Sequence, residues 1–245
     1  MSNFDPWAPY EEAVERQAIF LRNPLPPGQG VCRICRAAAN GSYGTCFPCS
    51  QHVRATGSTA DAVVPIAYAL KGTQHAHNLA SYKFAASSRG AQAALLSLGL
   101  VFLRWHRSCL EAAAGGRFTH AVVVPSTSGR QGLHPLQKLL GPSTSLPTLQ
   151  VTSHVAYPAD DRTFHADRFT VGSAPPGARV LLLDDTWTTG ARVQSLSHAL
   201  KSAGAKSVVA VVLGRHVNAA HEGSKALVDR AREGSFDIRR CVLDS

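Results

Sequence analysis

No stretch of this 245-residue chain is apolar enough to span a bilayer. The longest apolar run, AALLSLGLVFL over residues 93–103, falls short of the ~20 residues a crossing helix needs and ends at Arg104. A buried helix is expected there instead. The opening segment, MSNFDPWAPYEEAVERQ, lacks the basic and apolar regions of a secretory signal, which predicts a cytoplasmic protein with no membrane partner. Runs of five or six like charges are missing, as are internal repeats and low-complexity segments, so neither a basic tail nor a repeat array is expected. Charged residues make up 17% of the chain and hydrophobic residues 44%, a balance that excludes wholesale disorder.

Positive charge is in excess. The formal net charge is +9 and the pI is near 9.6, which favours anionic partners, either phosphorylated metabolites or nucleic acid, and says nothing about fold.

Six cysteines are present, and four are clustered in CRICRAAANGSYGTCFPC. The pairs Cys32-x2-Cys35 and Cys46-x2-Cys49 each suit a tight turn, and Gly41 and Gly44 let the segment fold back on itself. In a reducing compartment structural disulfides are disfavoured, so four thiolates around a tetrahedral zinc ion are the favoured reading. Two redox-active or simply buried cysteine pairs are the alternative. A site closed by four protein ligands has no open position for catalysis. Cys109 and Cys241 stand alone in sequence and are expected to behave as small buried hydrophobes.

Three parts are expected along the chain: an N-terminal segment over residues 1–27, a zinc ribbon over 28–52, and an α/β domain over 60–245. PYEEAVERQAIFLR suits a short helix and RATGSTAD a linker. AVVPIAYAL suits a strand whose Pro65 requires an edge or irregular position. HAHNLASYKFAA and AQAALLSLGLVFLRWHRSCLEAAA are predicted helices, and HAVVVP is a buried strand. QGLHPLQKLL is a helix beginning no earlier than His134. LPTLQVT is a short strand, followed by a polar, ambiguous stretch over residues 154–170. RVLLLDD is a strand and ARVQSLSHALKSAG a helix closing at Gly204. AKSVVAVVLGR is another strand, then come a helix in HEGSKALVDRAREG and a last strand in FDIRRCVLD. Near-continuous apolar strands alternating with helices predict a parallel sheet covered on both faces. Ligands of such sheets bind outside the carboxyl ends of the strands, where Asp184 and Asp185 fall.

In VLLLDDTWTTGAR a buried strand ends on adjacent carboxylates, followed by a threonine-rich loop and a glycine. Adjacent strand residues point to opposite faces, so both acids are expected to serve one ligand only if the chain turns directly after them, through Thr186 and Trp187. The following loop opens a helix, whose free N–H groups and dipole favour a phosphate. Thr188 and Thr189 add hydroxyl donors, and Gly190 permits a turn. Trp187 is expected either to cover a ligand or to pack under the loop. His52, His75, His77 and His165 follow no metal-ligand spacing, and Asp160 and Asp161 are expected in an exposed loop.

Four hydrophobic residues, Asp184-Asp185, three variable residues and Thr189-Gly190 resemble the phosphoribosyl-diphosphate (PRPP) motif of type I phosphoribosyltransferases. With a four-cysteine ribbon ahead of it, the chain resembles the ComF family over most of residues 28–215. The Lys71-Gly72 segment and DDRTFHADRF, through Arg162 and Phe169, are similar to further segments of that family. The resemblance implies a type I phosphoribosyltransferase-like parallel sheet with flanking helices, preceded by the small zinc ribbon. It makes Asp184, Asp185 and Thr188 the catalytic positions, with the two acids gripping the ribose hydroxyls. Thr188, Thr189, Gly190, Ala191 and Arg192 would hold the 5′-phosphate. The loop after HAVVVP, formed by Ser126, Thr127, Ser128, Gly129 and Arg130, would hold pyrophosphate. The sequence departs from the family pattern at Arg192, where a threonine is common, and at RQGLHPLQ, which stands where ComF-like chains carry Arg-Gly-Phe-Asn-Gln. The activity implied is transfer of a phosphoribosyl group from PRPP to a nitrogen nucleophile, with Mg²⁺ and a structural Zn²⁺. The alternative is a PRPP- or nucleotide-sensing, or DNA-uptake-associated, protein without turnover, its ribbon contacting nucleic acid or a protein partner, although the ribbon offers only two aromatics for stacking, Tyr43 and Phe47.

Overall fold

The apolar runs VLLL over residues 180–183 and VVAVVL over residues 208–213 become the two central strands of a four-stranded sheet. The computed structural model describes residues 5–39, 44–84, 88–126, 133–154, 157–158, 160–221 and 223–244. Strands β1 (Ala62–Leu70), β2 (His120–Val123), β5 (Arg179–Trp187) and β6 (Ser207–Val217) lie in the order β1-β6-β5-β2, and every pairing is parallel. Helices α1 (Ala8–Gln17), α3 (Gln74–Ser81), α4 (Arg89–Ala113), α5 (Pro135–Leu140), α6 (Ala191–Ser202) and α7 (Ser224–Glu233) flank it, and α2 (Phe47–Thr56) belongs to the cysteine module.

Side-chain alternation shows why the central strands read as unbroken hydrophobic runs. On β5, Leu181 and Leu183 join Leu95, Leu98 and Phe102 of α4 on one face, while Val180 and Leu182 join Leu196 and Leu200 of α6 on the other. On β6, Val209 and Val211 divide from Val208 and Ala210 in the same way. A strand buried on both sides needs an apolar residue at every position. The crossover from β1 to β2 and the return from β5 to β6 run in opposite directions along the sheet. Their helices lie on opposite faces, as a fixed crossover hand requires.

Pro65 lies within β1, opposite Val212, and β1 is an edge strand where a missing N–H leaves no ladder bond unmade. Other expectations need correction. RATGSTAD is not all linker, because α2 continues to Thr56 and stops at Gly57, whose φ of +60° suits a helix end. In LPTLQVT only Val151 and Thr152 are extended; β3 (Val151–Ser153) pairs antiparallel with β4 (Phe169–Val171) in a separate small sheet. The segment FDIRRCVLD forms turns rather than a strand. Phe236 and Val242 are buried in the α4-side core, and Asn23 holds Asp237 by a reciprocal pair of hydrogen bonds at 2.9 and 2.8 Å. No helix among the described residues is long and apolar enough to cross a membrane.

The cysteine module packs onto the α6 face of the sheet. Cys32, Cys35, Cys46 and Cys49 share a buried cluster with Val63, Val180 and Val212. Arg36 donates to the carbonyl of Val242 at 2.9 Å, and the Tyr68 hydroxyl of β1 donates to the carbonyl of Arg36 at 2.6 Å.

Candidate functional site

At the carboxyl ends of β1, β5 and β6 opens a cleft of about 640 Å³. Its wall is built from the turn after β1 (Lys71, Gly72, Thr73), α3 with Lys83, the loop residues Asp161 and Arg162, and the segment from Asp184 to Val193. Asp184, Asp185, Thr188, Thr189, Gly190, Ala191 and Arg192 all face this one space.

The acids reach it differently from the expectation drawn from the sequence. The chain does not turn after them: β5 continues to Trp187 alongside β6. On its other flank, however, β5 has parted from β2 by Leu183, whose carbonyl accepts the Val124 N–H at 2.9 Å. Beyond that point the strand stands over the end of the sheet, and both faces of it open onto the cleft. Asp185 turns toward α3. Its Oδ2 accepts the Tyr82 hydroxyl at 2.5 Å and pairs with Lys83 Nζ at 2.6 Å. Asp184 lies on the α6 side, and its Oδ1 accepts the Asp185 N–H at 2.9 Å. Burial first, and then the neighbouring Asp185 carboxylate, push the Asp184 carboxyl far above the ordinary carboxylate range. Burial also opposes charge on Asp185, but the Lys83 ammonium and the Tyr82 hydroxyl overcome it and hold this carboxyl below its usual value. One acid thus has a protein cation against it, while the other accepts the N–H of its neighbour.

The turn that follows is shaped by Trp187 and Gly190. Trp187 is 1% exposed and packs beneath the loop rather than over a ligand. Gly190, at φ +85°, is the N-cap of α6. A Cβ there would lie 2.0 Å from Trp187 Cζ2, so the ring and the helix N-terminus close on each other only through glycine. The Thr189 hydroxyl donates to the Arg162 carbonyl at 3.0 Å, tying the 160–168 loop to the start of α6. The His165 N–H donates to Ser195 Oγ at 3.0 Å and fastens the same loop further along. Asp161 is half-buried rather than exposed, and accepts from Arg168 and, at 2.7 Å, from His165 Nε2. Arg192 faces the cleft, where burial lowers its pKa against the opposing pull of Asp184. Lys71, His77, Lys83, Arg162, Arg192 and His216 thus line a cleft that also holds Asp161, Asp184 and Asp185. The cleft can bind a ligand carrying both anionic groups and hydroxyls.

Of the expected pyrophosphate loop, Ser126 is described and half-buried, its carbonyl accepting the Ser153 hydroxyl at 3.4 Å. Thr127, Ser128, Gly129 and Arg130 lie outside the described residues. Tyr82 and Lys83 were not singled out from sequence. Their signal was a tyrosine–lysine pair directly after a helix that follows Lys71-Gly72, legible only once β1 and β5 are known to share the sheet.

The Sγ atoms of Cys32, Cys35, Cys46 and Cys49 all lie within 4.8 Å of one another, and all four residues are buried. Cys35 and Cys46 are 3.6 Å apart. Hydrogen bonds within the cluster, first from Cys35, push the Cys32 thiol down, whereas the Cys32 contact pushes Cys49 up. Four thiols so close cannot all ionise without a cation among them, and the cluster has metal-binding geometry. His52, His75, His77 and His165 join no such cluster among the described residues. No protein-family model matches the chain, and no curated protein matches it significantly.

Proposed function

We propose that the cleft binds PRPP or a related phosphoribosyl metabolite and that the chain is a phosphoribosyltransferase, passing the phosphoribosyl group to a nitrogen nucleophile. The observation that carries this reading is the meeting of a carboxylate pair and a helix N-terminus in one basic cleft at the strand ends. Asp184 and Asp185 would accept the ribose hydroxyls, with Lys83 and Tyr82 fixing Asp185 as an ionised acceptor. Residues 188–192 would hold the 5′-phosphate, with Arg162 and Arg192 adding charge. As the C1–O bond to diphosphate breaks, positive charge develops on the ribose ring and negative charge on the leaving group. The chain's part is to hold both fragments in line and neutralise the leaving group. Mg²⁺, carried in with the diphosphate, would supply further neutralisation. The buried four-cysteine cluster suits a structural Zn²⁺ that holds the ribbon against α6.

Calorimetric titration of PRPP with Mg²⁺ is expected to show binding by the wild type and none by Asp184→Asn/Asp185→Asn. No wild-type binding would end the assignment. Pyrophosphate release across a panel of bases and amines then separates transfer from sensing.

A second reading, a nucleic-acid-associated protein without turnover, is favoured by one feature. Phe47, 76% exposed, borders a hollow on the ribbon together with Arg33 and Arg54. A salt-sensitive DNA shift that survives the two aspartate changes would support it.

A further inference from the structure

The two cysteines that stand alone in sequence do not stand alone in the fold. Cys109, near the end of α4, and Cys241, in the C-terminal segment, bring their Sγ atoms to 3.7 Å across 132 residues. His106 lies one turn before Cys109 on the same face of α4, and Asp244 lies three residues beyond Cys241. One ligand atom from each of the four falls within 4.8 Å of every other.

We propose that His106, Cys109, Cys241 and Asp244 form a second zinc site, which fastens the C-terminal segment to α4. The thiol separation is close to the 3.6 Å between Cys35 and Cys46. It is also close to the separation of about 3.8 Å that follows for two thiolates each about 2.3 Å from a tetrahedral zinc ion. A disulfide requires about 2.05 Å. The remaining ligands are oriented from outside. His106 Nε2 donates to the Ile238 carbonyl at 2.7 Å, which fixes the tautomer and leaves Nδ1 with the lone pair a metal needs. Asp244 Oδ2 accepts the Cys241 N–H at 2.8 Å, which sets its carboxylate beside the thiol. Two thiols, an imidazole and a carboxylate are a donor set that selects zinc over magnesium or calcium.

The segment gives such a clamp something to do. Residues 235–244 have no strand partner or helical ladder, and are anchored by Phe236, Val242, the Asn23–Asp237 pair and the Arg36 bond to Val242. Binding of Zn²⁺ would release one proton from each thiol, including the one Cys109 directs at the His106 carbonyl at 3.0 Å. The site shares no ligand with the ribbon or the cleft.

Zinc content of the reduced, full-length protein, measured by plasma mass spectrometry, tests this directly. About two equivalents per chain are expected in the wild type, and about one in Cys109→Ala/Cys241→Ala. A wild type holding one or fewer, or a variant holding as much as the wild type, would overturn the proposal. Should that variant fail to fold, Co²⁺ titration of the wild type and of His106→Gln decides. The wild type should show two spectroscopically distinct sites, the second with about half the thiolate charge-transfer intensity of the first. His106→Gln should weaken only that second site, by roughly tenfold or more. A single class of cobalt site, or a purified wild type carrying a Cys109–Cys241 disulfide in peptide mapping, would also overturn it.

Discussion

Gly190→Ala is expected to destabilise the protein far more than the same change at Gly72, although both glycines line the cleft in the left-handed region. Gly190 has φ +85° and Gly72 φ +88°, so an alanine at either meets the same backbone penalty of about 1–2 kcal/mol. The loss of glycine's extra freedom in the unfolded chain returns about 0.4–1 kcal/mol of this at both. What differs is the space. Nothing lies within 4 Å of a Cβ built at Gly72, whereas one at Gly190 would lie 2.0, 2.2 and 2.6 Å from Cζ2, Cε2 and Cη2 of Trp187. Carbon atoms rest at about 3.5–4.0 Å, so the indole or the first turn of α6 must move by more than about 1 Å. The ring is fully buried among Val193, Leu182 and Val212, and overpacking of this kind costs about 1–3 kcal/mol. The expected losses are therefore about 1 kcal/mol for Gly72→Ala and about 2–4 kcal/mol for Gly190→Ala. Urea melts followed by far-ultraviolet circular dichroism report both, and remain usable in variants that lack Trp187. Adding Trp187→Leu to Gly190→Ala should recover part of the loss, a coupling that a double-mutant cycle reads out. Equal losses at the two glycines, or no coupling, would refute the argument that Trp187 and Gly190 set the loop together.

Removing Lys83 as Lys83→Met strands Asp185, whose side chain is 7% exposed, without its cation; Lys83 itself is 32% exposed, so water softens the effect to about 1–3 kcal/mol. The Asp185 carboxyl is held below its unfolded value, so its contribution is present above the ordinary carboxylate pKa and disappears as pH falls through the folded one. Melts of the two proteins should therefore differ at pH 7 and draw together as the pH falls below the ordinary carboxylate range, and a difference that stays at its full size in acid would contradict the pairing. The buried His75 acts in the same direction in a higher pH window. Burial lowers its pKa from 6.5 to about 4, its Nδ1 finds no partner among the described residues, and stability should fall as pH drops from 6.5 toward 4. That shift is worth about 3 kcal/mol at most, and His75→Gln should flatten the slope by one proton. An unchanged slope would mean that His75 is not held neutral.

Much of this architecture was legible because its signals were local. Val180 to Leu183, and the valines of AKSVVAVVLGR, could satisfy only a strand buried on both faces, and Pro65 narrowed β1 to an edge or irregular position before any pairing was known. Gly190 marked the start of α6 for the same reason. What escaped were features decided by partners distant in sequence. FDIRRCVLD has strand-forming residues, yet Phe236 and Val242 find their cover against the α4-side core instead. The turn anticipated after Asp185 rested on a two-sided ribbon, whereas the departure of β2 at Leu183 opens β5 without any turn. Lys83 and Tyr82 gained their roles from contacts with Asp185 that no window of sequence contains, whereas Asp161 is held by near neighbours, His165 and Arg168, whose side chains the chain's polar pattern did not orient. Cys109 and Cys241 looked solitary because 132 residues separate them, although each begins or ends an x2 spacing with a second donor, in HRSC and CVLD.

The ribbon's place in the fold bears on the cleft as well. Its helix α2 reaches α6 through Thr56 Oγ1 and His198 Nδ1, 2.6 Å apart, and the Ala60 N–H just beyond it donates to Gln194 Oε1 at 2.8 Å. Between His52 of α2 and His198 of α6 lies Phe164, its ring centroid 6.1 and 5.9 Å from theirs. Phe164 belongs to the same loop that Thr189 and Ser195 tie to α6. The two basic elements on that side of the cleft, Arg162 and the first turn of α6 with Arg192, therefore rest on the ribbon from behind. Besides its four thiols the described module buries only Val31, Ala37 and Ala39 among apolar residues, so cation binding within the cluster would supply much of its rigidity. That rigidity would pass to the α6 side of the cleft through Phe164, Thr56 and Gln194. The acid side is fixed separately, through Tyr82 and Lys83. The four-cysteine cluster thus stands behind the α6 side of the cleft without lining it.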